Sequence, residues 1–256
     1  MPLVRAFFVT MKHVILLHGF CENRSMWNTV VSALKTNFTD YHAVDLPGFG
    51  ANKDCVDSVE RMSDFVFSYM DNHQILDAII IGHSMGGYVA LEMLSKQPNR
   101  INGIGLIHSH AAADTEEKKD NRKKLISFIE RNGEKTFLQQ FTKQLVAAQN
   151  ADANRLSQIN KFVEGTRPEA IISASKAMIK RSDHTNTLSV HIPYLWIIGK
   201  EDAFMPYTSV MRQAKQCLTA EIHLLDNVGH LSMYEAPEQT QDIIAGFVES
   251  IDASAH

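Results

Sequence analysis

Apolar residues fall along this chain in two kinds of run. Short, nearly continuous runs stand at 13–18 (HVILLH), 41–46 (YHAVDL), 77–83 (DAIIIGH), 101–109 (INGIGLIHS), 193–199 (PYLWIIG) and 220–226 (AEIHLLD). Several lack the apolar–polar alternation of a half-exposed strand, which predicts strands of a parallel sheet covered on both faces. Between them, apolar residues recur at the three- and four-residue spacing of one helix face. In SMWNTVVSALKT, Trp27, Val30, Val31 and Leu34 keep that spacing behind Ser25 as a cap. SVERMSDFVFSYMDNH opens at Ser58 with Arg61 three residues on, YVALEMLSKQP is closed by Pro98, and APEQTQDIIAGFVESI has Pro237 in its first turn. Strands alternating with helices specify an α/β fold: a doubly wound, mostly parallel sheet of about six to seven strands.

One region breaks the alternation. From Ala111 to His191 no strand pattern occurs, only helix-like segments near 115–131, 135–149, 152–164 and 168–181. Leu125, Phe128, Ile129, Phe137, Phe141, Leu145, Phe162, Ile171 and Met178 fall on their apolar faces. The expected organisation is a core of residues 1–110 and 192–256 with an all-helical cap, 111–191, inserted over the strand ends. Met11 begins MKHVILLHGF, so residues 1–10 read as an upstream extension or a short edge strand.

Composition narrows the function classes. The 256 residues are 45% hydrophobic and 21% charged, with a net charge of −4, an ordinary balance for a soluble folded domain. The densest basic run, EEKKDNRKK, alternates with acids and reads as a solvated helix surface, so no nucleic-acid partner is expected. No apolar stretch approaches the roughly 18 residues of a membrane span, and no secretory signal opens the chain. Cys21, Cys55 and Cys217 are scattered, odd in number and without metal-ligand spacing, which suits a reduced, cytoplasmic protein.

The chemistry centres on IIIGHSMGGYVALEML, residues 79–94. A bare G-x-S-x-G arises by chance roughly one time in ten in a chain this long. Here the motif joins a strand to a helix, at the carboxyl end where open α/β sheets bind ligands. Gly82 and Gly86 are small where side chains would collide across a sharp turn. The helix that follows points its positive end at Ser84. A serine nucleophile needs a base and an orienting carboxylate. His230, in DNVGHLSMYEAPEQ between the last strand and the last helix, is the candidate base. Asp202 in WIIGKEDAFMP, leaving the preceding strand, is the candidate acid, with Glu201 its main rival and Asp226 less well placed. His83 reads as packed in the turn, His18 as support for its loop, Asp45 as structural, and His108 and His110 as possible pocket residues. None of these histidines has the carboxylate–histidine helix spacing of a metal site.

Four blocks together, LLHGF at 16–20, DLPGFG at 45–50, GHSMGG at 82–87, and GKEDAFMP with VGHLSMYEAPE, make the chain resemble the α/β-hydrolase superfamily over nearly all its length outside the cap. The order serine, acid, histidine is that of this superfamily. The resemblance implies that the backbone N–H groups of Phe20 and Met85 form the oxyanion hole. It departs in two ways: at most a stub stands where relatives carry an N-terminal hairpin, and the oxyanion loop is the plain HGF form.

These features imply a serine hydrolase without cofactor or metal, acting on a small-molecule substrate: a small to medium, apolar carboxylic ester, thioester or lactone, through an acyl-enzyme. Hydrolysis of a carbon–carbon bond beside a carbonyl is the alternative within the same fold. A non-catalytic ligand receptor on the same scaffold is a third reading, disfavoured because the serine, the base, the acid and the elbow glycines are all present. Serine at the nucleophile position disfavours the related dehalogenases and epoxide hydrolases, which use aspartate there.

Overall fold

The computed structural model describes residues 11–34 and 39–251. Among them six strands form one sheet: β1 (Lys12–Leu17), β2 (Thr39–Val44), β3 (Ala78–His83), β4 (Ile101–Ile107), β5 (Tyr194–Gly199) and β6 (Ala220–Leu225). Their order is β2-β1-β3-β4-β5-β6, and each neighbouring pair is parallel. Residues 1–10, read as an extension or edge strand, lie outside the described residues. Every residue of β3 and β5 is buried, as their unbroken apolar runs require, whereas the edge strands β2 and β6 are half-covered.

The helices of the core are α1 (Asn28–Ala33), α2 (Val59–Asn72), α3 (Met85–Lys96), α8 (Tyr207–Ala214), the single turn α9 (Ser232–Glu235) and α10 (Pro237–Ser250). Ser58 Oγ accepts the Arg61 N–H at 3.1 Å, capping α2, which buries Val59, Met62, Val66, Phe67 and Met70 on one stripe. The start of the first helix differs from expectation. Asn23, not Ser25, is the cap: its Oδ1 accepts the Ser25 N–H at 3.0 Å and opens a 3-10 turn, Arg24–Trp27, that runs into α1.

Chain order reverses between β1 and β3, since β2 lies beyond β1 on one side and β4 to β6 follow β3 on the other. Loops leaving adjacent strands at such a point turn apart and open a crevice at the carboxyl edge. The β1 exit carries Phe20 and the β3 exit carries Ser84.

Four helices stand between β4 and β5: α4 (Glu116–Asn132), α5 (Lys135–Gln144), α6 (Ala153–Val163) and α7 (Pro168–Lys180). α4 packs on α7, and α5 on α6. The segment expected as helical to residue 149 ends at Gln144. Beyond it the backbone is drawn off by the loop before α9: Leu145 C=O accepts the His230 N–H at 2.9 Å, and Ala147 N–H donates to Glu235 Oε2 at 2.8 Å.

Candidate active site

β3 ends at His83 and α3 begins at Met85, so a single residue, Ser84, makes the turn. Its φ of 50° with ψ of −113° is strained for a residue with a side chain. Three bonds impose it. Ser84 N–H donates to Ile107 C=O at 2.9 Å, and Ser84 C=O accepts from Gly87 N–H at 3.0 Å and from Ser109 Oγ at 2.8 Å. The flanking glycines are a steric necessity: a Cβ on Gly82 would lie 2.3 Å from the Gly86 carbonyl, and one on Gly86 2.4 Å from the Leu17 oxygen.

His230 lies on the loop between β6 and α9, and Asp202 in the turn after β5. His230 Nδ1 is 2.7 Å from Asp202 Oδ2. The other carboxylate oxygen, Oδ1, accepts the Phe204 and Met205 N–H groups at 2.8 and 2.9 Å, which locks the side chain. Burial alone would raise the Asp202 pKa; the adjacent His230 and His108 outweigh it and hold the carboxyl far below its usual range. Glu201, the rival, faces solvent, and exposed Asp226 pairs with Lys200.

His108 approaches the same carboxylate: its Nδ1 is 3.3 Å from Asp202 Oδ2, close but not aligned for a hydrogen bond. Its Nε2 accepts the Ser232 N–H at 3.2 Å, which assigns the proton of the neutral ring to Nδ1. Burial lowers its pKa despite Asp202, so it faces the acid as a neutral dipole. His18 supports the β1 exit as expected, accepting Leu46 N–H on Nε2 at 2.9 Å and donating from Nδ1 to Gly19 C=O at 2.8 Å. Asp45 closes the DLPGFG loop, accepting the Arg24 and Ala51 N–H groups at 2.8 and 2.9 Å.

Glu22 is the residue that pattern reading passed over. It is 1% exposed, and its Oε2 accepts the Gly19 N–H at 2.7 Å while lying 3.0 Å from His83 Nδ1. His83 Nε2 lies 2.7 Å from the His230 carbonyl, an acceptor only, so Nε2 carries a proton. Burial opposes a charge on His83, but Glu22 more than compensates and its pKa is raised; burial likewise opposes the Glu22 charge, and His83 brings its pKa down. The two form a buried imidazolium–carboxylate pair tying together the loop after β1, the turn at Ser84 and the His230 loop. Glu235 adds a second brace, its Oε1 accepting the Gly229 and Leu231 N–H groups at 2.9 and 3.2 Å.

Ser84, His230, Phe20 and Glu22 line one cavity of about 250 Å³. Met85 is fully buried at the start of α3. The insertion supplies much of the wall, with Phe137, Phe141 and Leu145 beside Phe20. Phe20 and Phe141 meet edge to face at 5.9 Å between ring centroids. The run EEKKDNRKK departs from its expected role, because Lys118, Asn121 and Arg122 line this cavity while Glu116, Glu117, Asp120, Lys123 and Lys124 are exposed.

Residues 14–243 match the sequence profile described as "Alpha/beta hydrolase family". The chain belongs to the alpha/beta hydrolase family. This hydrolase-family chain is 27% identical to the pimeloyl-[acyl-carrier protein] methyl ester esterase of Nitrosomonas europaea, over 94% of each chain. It is 22% identical to the monoacylglycerol lipase of Bos taurus over 94% of this chain and 76% of the lipase. Among solved structures, a thermophilic esterase from Thermogutta terrifontis superposes with a TM-score of 0.89 at 25% identity, covering 95% of this chain and 92% of the esterase. The enol-lactonase of Burkholderia xenovorans LB400 shares the fold, with a TM-score of 0.83 at 20% identity over 94% and 92%.

Among the described residues, two groups of side chains in this hydrolase fold have metal-ligand proximity, with ligand atoms within 4.8 Å of one another. In His108, Asp202 and His230 the two Nδ1 atoms are turned to the carboxylate, so the acid serves the imidazoles. His13 and Asp40 are paired near the amino ends of β1 and β2, and His42 stands beside them in the middle of β2, in a group separate from His230 and Asp202. Among the described residues no helix is long and apolar enough to cross a membrane.

Proposed function

We propose that the chain is a serine hydrolase in which Ser84 is the nucleophile, His230 the general base and Asp202 the orienting acid. The observation that carries the reading is the 2.7 Å contact of His230 Nδ1 with Asp202, joined to a strained Ser84 on the same cavity. With Nδ1–H committed to Asp202, the His230 Nε2 lone pair is free to take the Ser84 proton as Oγ attacks a carbonyl. Backbone N–H groups of Phe20 and Met85 receive the developing oxyanion, a role worth about 3 kcal/mol per donor in such sites. His230 then protonates the leaving group, an acyl-Ser84 forms, and a water activated by His230 releases the acid.

The substrate is a small to medium carboxylic ester, thioester or lactone, held against the aromatic wall that α5 of the cap, residues 111–191, contributes. The esterase and lipase relatives support ester chemistry. Fluorophosphonate labelling tests the nucleophile: wild-type protein should be labelled and Ser84→Ala should not. Equal labelling of the two would defeat the assignment. Product analysis on a 1,3-diketone distinguishes carbon–carbon cleavage from ester hydrolysis.

A further inference from the structure

The wall that α4 gives to the cavity is polar and positively charged. Lys118 and Arg122, four residues apart and so on one helix face, line it together with Asn121. Arg181, just past α7, joins the cluster and lies over the ring of Tyr88, itself a cavity residue, at 3.8 Å. The carboxylate among them is Asp114, and both its oxygens are taken: Oδ2 by Arg122 Nε at 2.6 Å, Oδ1 by Arg181 Nη2 at 3.1 Å. Three cations therefore share one anion.

Lys118 is the one left over. Its Nζ has the Nε2 of buried His110 at 3.5 Å, an imidazole where a carboxylate would be expected. The surroundings register the excess of charge. Burial first, then Arg181 and Lys118, push the His110 pKa down to about 3, which keeps that ring neutral. Burial also lowers the pKa of Lys118; Asp114 opposes this, and Arg122 and Arg181 add to it. The carboxylate on the catalytic side of the cavity, Glu22, is committed to Gly19 N–H and His83.

We propose that this end of the cavity is an anion subsite, and that the substrate is an ester carrying a free carboxylate remote from its scissile carbonyl. The inference rests on the serine-hydrolase reading of Ser84. One unpaired ammonium, already partly stripped of water, matches one carboxylate in charge, and a charge-assisted bond there is stronger than a neutral one. The side-chain amide of Asn121, three residues from Lys118 on α4 and on the same cavity, offers N–H donors to the second oxygen. Phe137, Phe141 and Leu125 supply an apolar wall for methylenes between the two ends. The combination describes the half-ester of a short dicarboxylic acid.

The test compares kcat/KM for p-nitrophenyl half-esters of dicarboxylic acids of increasing length with neutral p-nitrophenyl alkanoates of matched length. At the best length the half-ester should be preferred by about tenfold or more. In the wild-type protein that ratio should fall as ionic strength rises. Lys118→Met should bring the ratio to parity, whereas Lys118→Arg should keep a preference for the half-ester. A neutral ester preferred at every length, a ratio indifferent to salt, or a ratio that survives Lys118→Met would overturn the subsite. If neither ester is cleaved and fluorophosphonate leaves Ser84 unlabelled, the hydrolase reading fails instead.

Discussion

The Glu22 carboxylate lies 3.0 Å from Nδ1 of His83, the residue before the elbow serine, with both side chains out of water. Oε2 accepts from Gly19 N–H as well as from the imidazolium, so the same atom anchors two loops. Glu22→Gln keeps the shape and removes the charge. An amide oxygen there leaves a buried imidazolium unpaired, and an amide nitrogen there collides with the Gly19 N–H. The expected cost is ~3 kcal/mol of stability, the scale of breaking one partner from a buried pair, read from urea unfolding. Activity should fall with it, because the Gly19–Phe20 backbone loses its anchor.

The same pair fixes a pH dependence. Glu22 has a lowered folded pKa, so its contribution is present above the ordinary carboxylate value and is lost as pH falls through the folded pKa. His83 has a raised folded pKa, so its contribution is full below the ordinary imidazole value and is lost as pH rises through the folded pKa. The stability gap between wild type and Glu22→Gln should therefore be widest between those two ordinary values and narrow on both sides. A gap independent of pH from acid to alkali would show that no ionised pair exists.

Asp202→Asn tests the tautomer argument. Oδ1 accepts two backbone N–H groups, so an asparagine must place its oxygen there and its NH₂ against His230. His230 then carries its proton on Nε2 and cannot accept one from Ser84. A fall in kcat of ~10⁴-fold is expected, with KM little changed. Steady-state kinetics on any ester the wild type cleaves would measure it, and a loss of less than tenfold would remove Asp202 from the assigned role.

Glycine substitutions should separate sharply by position. In Gly86→Ala the new methyl meets the Leu17 and His18 carbonyl oxygens at 2.4 and 2.8 Å, so β1 and α3 must separate and both stability and fluorophosphonate labelling should drop. Gly246 lies inside α10 with nothing within 4 Å of the added carbon. Gly246→Ala should stabilise by about 0.5–1 kcal/mol, seen as a rise in Tm with labelling intact.

Thiol chemistry provides a check on burial. All three cysteines are free, Cys21 and Cys217 buried and Cys55 half-exposed. Burial first, then Glu22, pushes the Cys21 thiol well above its ordinary value. Native protein should react quickly with a maleimide at Cys55 alone, and unfolded protein at all three. Fast native labelling of Cys21, located by peptide mapping, would contradict the packing of the loop after β1.

The sequence alone determined what is local. Continuous apolar runs marked β3 and β5 as strands covered on both faces. Ser84 between Gly82 and Gly86 was legible because an elbow is a matter of sterics over five residues. His230 and Asp202 were legible through their position after strands, since a parallel sheet brings every such exit to one edge. Where each side chain points once the chain turns was decided by tertiary structure. Asp202 and Glu201 are adjacent and chemically alike, yet the turn after β5 buries one against His230 and sends the other to solvent. Glu22 and His83 are separated by 61 positions, and no spacing rule joins them. Only the adjacency of β1 and β3 does so, and the low dielectric of the interior makes the pairing strong. Lys118 and Arg122 sit in a run whose composition suits any solvated helix. Packing α4 against α7 turned that one face inward, because a helix has sides that a linear charge pattern does not distinguish.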